Sequence, residues 1–164
     1  MSKKNISIGW TEFNSIEELD PGDKELVIEA RMAAHNAYAP YSKFKVGAAV
    51  RLENGLVVHG ANVENAAFPS GICAERTALS FSAANYPSIK PVAIAVAAYT
   101  NAGLTREPVP PCGNCRQVIA EEEFRNKSKI RVILSGENKI QIIETGGDLL
   151  PLQFNMNNLK AAPR

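Results

Sequence analysis

Residues 91–98, Pro-Val-Ala-Ile-Ala-Val-Ala-Ala, form a nearly continuous apolar run. A strand with one solvated face alternates apolar and polar residues, so a run without alternation is the pattern of a strand covered on both faces. Helices must therefore be available for both sides of a sheet. The rest of the chain offers them. Asp20-Pro21 supplies an N-cap and a proline at the first helical position, and Leu26, Val27, Ala30, Ala33, Ala34 and Ala37 then fall on one helical face that ends before Pro40. Phe44, Val46, Ala48, Val50 and Leu52 alternate as a strand, and Asn54-Gly55 turns it into a second strand over 56–63. A helix of small residues is expected over 73–84, a short helix over 112–122, a strand over 130–134 and a further one at 139–143. This order reads as one α/β domain of three layers, α/β/α, with helices on both faces of the sheet.

Within the 164 residues, 1–20 read as an N-terminal extension and 21–164 as a single domain. Ile6, Ile8 and Trp10 alternate in the extension and are expected to add an edge strand. A net charge of +1 and a pI near 7.7 provide no basic field for nucleic acid and favour a small, nearly neutral partner. No stretch approaches the roughly 20 apolar residues of a membrane span, and no apolar segment follows the charged start, so the expected location is cytoplasmic. Three cysteines are an odd number, which makes a disulfide framework a poor explanation for them.

Those cysteines lie in two phrases, Cys73-Ala74-Glu75 and Pro111-Cys112-Gly113-Asn114-Cys115. Cys112 and Cys115 are three apart and project on one side of a helix start, with Cys73 as a third thiolate. Three thiolates leave one corner of a zinc tetrahedron for water, as a catalytic site requires. A lone Cys-x-x-Cys would more often be a redox pair or half of a structural zinc site. A structural site wants a fourth ligand, however, and His35 and His59 sit in regular elements away from these helix starts. Glu75 diverges from Cys73 by roughly 200° on a helix, so it is poorly placed as a ligand and well placed to move protons. Alone it would be a solvated first-turn acid; beside three ligands it fits the hydrolytic loss of ammonia from an amidine-like carbon. Three thiolates on Zn²⁺ carry a formal charge of −1, which Arg76 is expected to offset from outside the ligand shell. Asn62 and Glu64, two apart near a strand end, offer donors and acceptors for sugar hydroxyls.

Ala39-Pro40-Tyr41-Ser42-Lys43-Phe44, Asn62-Val63-Glu64-Asn65-Ala66, Cys73-Ala74-Glu75-Arg76-Thr77-Ala78, Pro111-Cys112-Gly113-Asn114-Cys115-Arg116-Gln117 and Leu149-Leu150-Pro151 together resemble the small homotetrameric, zinc-dependent cytidine deaminases. The likeness runs over about residues 37–154. It implies a mixed five-stranded sheet flanked by helices, and one Zn²⁺ per subunit held by Cys73, Cys112 and Cys115. It also implies hydrolysis of cytidine and 2′-deoxycytidine by attack of zinc-bound hydroxide at C4, with Glu75 protonating the ring nitrogen and then the departing ammonia. Asn62 and Glu64 would hold the ribose, Phe44 would pack on the pyrimidine, the backbone at Ala74 would read the base, and Phe154 would close the pocket. Active sites at subunit contacts, and a role in pyrimidine salvage, follow from the same likeness. Phe68 stands where the family usually carries tyrosine. A blasticidin-type or other nucleoside-analogue deaminase, or a non-enzymatic zinc-stabilised binding module, remains the alternative; deaminases of nucleic acid or of cytidylate carry His-x-Glu where this chain has Cys73-Ala74-Glu75.

Overall fold

In the computed structural model, which describes residues 1–160, the apolar run becomes the middle of a ten-residue strand buried on both sides. In chain order the elements are β1 (Thr11–Phe13), α1 (Pro21–Ala33), β2 (Lys45–Leu52), β3 (Val57–Ala61), α2 (Ala74–Asn85), β4 (Pro91–Thr100), β5 (Gly103–Leu104), α3 (Gly113–Asn126), β6 (Arg131–Ser135), β7 (Ile140–Ile143) and α4 (Met156–Lys160). One sheet runs β1-β7-β6-β4-β2-β3, with the two-residue β5 paired to β4. Only the β4–β6 pairing is parallel, which makes the sheet mixed. Five strands carry its body, as expected, and β1 and β5 bring the total to seven.

The pleat of β2 and β4 sends alternate residues to two separate cores. Ala48, Val50, Ile94 and Val96 pack with Ala74, Ala78 and Leu79 of α2 and Ile119 of α3. Ala49, Ala93, Ala95 and Ala97 point the other way, onto Leu26, Val27 and Ala30 of α1. The result is the three-layer arrangement, with α1 on one face and α2 and α3 on the other. The small residues are there because helix and strand backbones nearly touch. A Cβ added at Gly60 of β3 would sit 2.3 Å from the Ala74 carbonyl oxygen, so glycine alone lets the start of α2 lie this close to the sheet.

The helix starts follow their sequence signals. Asp20 caps α1, its carboxylate accepting from the Asp23 N–H at 2.9 Å. The extension departs from expectation: its ordered strand is Thr11–Phe13, while Ile6, Ile8 and Trp10 stay exposed and outside the ladder. The reason lies in the register. Thr11 already pairs with Ile142, one residue short of the end of the four-residue β7, so Ile6 and Ile8 lie beyond the reach of a partner strand, and the extension contributes Phe13, Ile16 and Leu19 to a core cluster instead.

Candidate active site

Two helix starts build the site. Cys73 is the N-cap of α2 and Cys112 the N-cap of α3; both have extended backbones, and neither side chain takes a capping hydrogen bond. The thiols are thereby left free beside unpaired N–H groups. Cys115 lies in the first turn of α3 and is fully buried. Cys112 Sγ is 3.9 Å from Cys73 Sγ and 3.5 Å from Cys115 Sγ, and all three sulfurs lie within 4.8 Å of one another. A disulfide needs about 2.05 Å, which these separations exceed by far. Three sulfurs on a tetrahedral zinc at about 2.3 Å are about 3.8 Å apart, and the observed separations bracket that value. The donor set fits zinc.

Electrostatics within the triangle are uneven. Burial pushes the Cys73 and Cys115 thiols up, with the nearby Glu75 carboxylate adding to both. Burial acts on Cys112 in the same direction, but the nearby Cys115 and Asn114 backbone N–H groups and the neighbouring thiols outweigh it and hold its pKa down. Without metal the triangle therefore favours partial protonation, and a divalent cation is what would make three thiolates stable together. Glu75 is 4% exposed, and burial raises its carboxyl above the usual range, with the Cys115 side chain pulling the other way.

A cavity of about 810 Å³ opens onto this cluster. Cys73, Cys112 and Glu75 form part of its wall, with Phe44, Asn62 and Glu64 among the other lining residues, and among the described residues no lysine or arginine lines it. Asn62 continues straight out of β3. Its amide accepts from the Val46 N–H at 2.7 Å and donates to the Phe44 carbonyl at 3.0 Å, which fixes the side chain against β2 and leaves one amide hydrogen uncommitted. Glu64 Oε2 accepts from the Tyr41 and Ser42 N–H groups at 2.9 and 3.2 Å. The Ser42 side chain and these backbone groups hold the Glu64 carboxyl below its ordinary range.

This cluster and pocket have a counterpart in a known family. Residues 21–129 match the model for the cytidine and deoxycytidylate deaminase zinc-binding region. The chain belongs to the cytidine and deoxycytidylate deaminase family. A cytidine deaminase of Sporosarcina psychrophila is 42% identical over 139 residues, covering 85% of this chain and 96% of that protein. One from Halalkalibacterium halodurans is 51% identical over 100 residues, 60% of this chain and 71% of that protein. The crystal structure of a Burkholderia pseudomallei cytidine deaminase superposes with a TM-score of 0.67 at 42% identity, covering 79% of this chain and 97% of that one.

Among deaminase-family expectations, the structure brings Cys73, Cys112, Cys115, Glu75, Phe44, Asn62 and Glu64 to one place. Three others lie differently. Ala74 is fully buried beneath Gly60 and is not among the lining residues. Arg76 is half-buried and makes no hydrogen bond or ion pair among the described residues. Phe154 is 58% exposed and does not line the cavity of its own chain; its carbonyl accepts from Gln117 Nε2 at 2.8 Å. The spacing of residues gives no sign of the aromatic rim, where Tyr41 and Phe68 meet edge-to-face at 5.8 Å. The run Ala39-Pro40-Tyr41-Ser42 carries that signal instead, because a proline turn followed by polar N–H groups is what anchors Glu64.

Proposed function

We propose that the protein is a zinc-dependent cytidine deaminase that converts cytidine and 2′-deoxycytidine to uridine and 2′-deoxyuridine with release of ammonia. The observation that carries this reading is a buried acid, Glu75, beside three converging sulfurs on the wall of a pocket that no cation lines among the described residues. With no lysine or arginine among the described lining residues to meet a phosphate, the pocket suits a free nucleoside rather than cytidylate. Cys73, Cys112 and Cys115 would hold the metal. When bound, zinc lowers the pKa of a water and so supplies a nucleophile for C4 near neutral pH.

The chain's own groups do the remaining work. Phe44 packs against the pyrimidine, and the backbone at Ala74 helps recognise the base. Asn62 has one amide hydrogen to give to a ribose hydroxyl, and Glu64 has Oε1 uncommitted to accept from another. Glu75 takes the proton from the attacking water, passes it to the ring nitrogen and then carries one to the departing amine. Desolvation suits it to that task, since burial raises its pKa and makes the protonated carboxyl easier to form than at an exposed glutamate. Arg76 offsets the negative charge of the three thiolates.

The assembly is a homotetramer in which Phe154 of one subunit closes the pocket of another. Phe154 and the exposed Ile28, Met32 and Phe81 support this, because they leave apolar surface on several sides of the chain. Residues 21–164 act as one catalytic domain, 1–20 as an extension to it, and the setting is cytoplasmic pyrimidine salvage. Among the described residues no helix is long and apolar enough to cross a membrane. The test is the ultraviolet change on loss of the 4-amino group when cytidine meets purified protein, with Glu75→Ala as control. Zinc-loaded wild type that leaves cytidine intact overturns the proposal.

A further inference from the structure

Three side chains of α3 grip the C-terminal part of the chain, and one of them also grips the loop that delivers Cys112. Arg116 Nε donates to the Pro111 carbonyl at 2.8 Å, and its Nη1 donates to the Leu149 carbonyl at 3.1 Å. Gln117 Nε2 reaches the Phe154 carbonyl at 2.8 Å. Farther along the helix, the Glu123 carboxylate accepts from the N–H groups of Ile130, Gly146 and Gly147 at 2.7, 2.8 and 2.9 Å and from the Thr145 hydroxyl at 2.9 Å. These bonds seat the turn Gly146–Leu149 directly on α3. A Cβ on Gly146 would lie 2.1 Å from Ile119 Cγ2, so the contact leaves no room for a side chain.

We propose that Arg116 is a positioning residue for the metal centre, coupling the docking of residues 145–154 to the placement of Cys112 in the sulfur triangle. Cys112 is exposed, its side chain makes no capping bond, and the proline before it has no N–H to anchor. The Pro111 carbonyl is thus the handle by which the loop in front of Cys112 is held to α3. A planar guanidinium can serve two carbonyls in fixed directions at once, whereas a lysine ammonium cannot hold both in one geometry. Loosening Leu149 therefore frees Arg116 to leave Pro111, and Cys112 loses its support.

The experiment measures release of zinc from loaded protein into an excess of the chromogenic chelator 4-(2-pyridylazo)resorcinol, with thermal melting recorded in parallel. Arg116→Gln should release zinc about tenfold faster or more, the size expected for losing an outer support of a ligand. Arg116→Lys should fall between, and it carries the test if Arg116→Gln does not fold. Glu123→Gln, which loosens the far end of the turn, should also speed release, and adding it to Arg116→Gln should give no further increase. Wild-type release rates in both Arg116 variants overturn the coupling. So does a double variant whose acceleration is the product of the two single effects. The inference rests on the three cysteines binding zinc; wild-type protein that takes up no zinc would remove that reading instead, before any variant is compared.

Discussion

Cys73 Sγ at the head of α2 lies 3.9 Å from Cys112 Sγ at the head of α3, although 39 positions separate them in the chain. Both helices pack on the same sheet face through Ala74, Ala78, Leu79 and Ile119, so burying that core is also what brings the sulfurs together. The metal site is in this sense a by-product of how two helix N-termini share one apolar surface.

Glu75→Gln keeps the shape and removes the proton-carrying capacity. Its kcat should fall about 10²–10⁴-fold, the usual worth of a positioned general acid–base, while zinc content stays that of wild type. Steady-state kinetics with metal analysis check both halves.

Gly60→Ala puts a methyl group 2.3 Å from the Ala74 carbonyl oxygen, a contact only backbone movement can relieve. The variant should lose about 1–3 kcal/mol of stability, and zinc affinity should drop with it because Cys73 moves with the start of α2. Denaturant unfolding and a zinc titration measure the two effects.

In the proposed role, Glu64 would offer a carboxylate to the ribose only while ionised. Its pKa lies below the ordinary value, first through the Ser42 side chain and then through the Tyr41 and Ser42 backbone, so it stays charged as pH falls to the usual carboxylate range. A depressed pKa places the loss on the acid side. KM for cytidine should be flat on descending from neutrality and rise only below that range, and in Glu64→Gln KM should be higher throughout with no such rise.

Away from the site, Asp23 is 2% exposed and paired with Arg51 Nη2 at 3.1 Å and Arg131 Nε at 2.9 Å, tying α1 to β2 and β6. Asp23→Ala leaves two arginines facing each other across a gap. Because Arg131 keeps Glu144 at 2.9 Å and both arginines reach solvent, the change should cost about 1–3 kcal/mol, read as a lowered unfolding midpoint.

Much of this was legible in the sequence because it depends on local spacing. The double-faced burial of β4, the Asn54-Gly55 hairpin and the Asp20 cap each follow from a few neighbouring residues. The convergence of Cys73 with Cys112 and Cys115 was anticipated from the chemistry of the ligand set and from family resemblance. Periodicity alone would not have shown it, since nothing local says that two helix starts meet. Three-dimensional register decided the rest. The edge strand formed at Thr11–Phe13 because β7 is short, a property of the partner strand that Ile6, Ile8 and Trp10 do not encode. The grip of Arg116 and Glu123 on residues 145–149 is not legible in the sequence, because backbone carbonyls and amides carry no side-chain signature.

The most direct measurement is zinc stoichiometry with X-ray absorption on freshly purified protein. The account predicts one zinc per chain with three sulfur neighbours at about 2.3 Å and a lighter atom completing the shell. A protein without zinc, or zinc surrounded by nitrogen and oxygen alone, would contradict it.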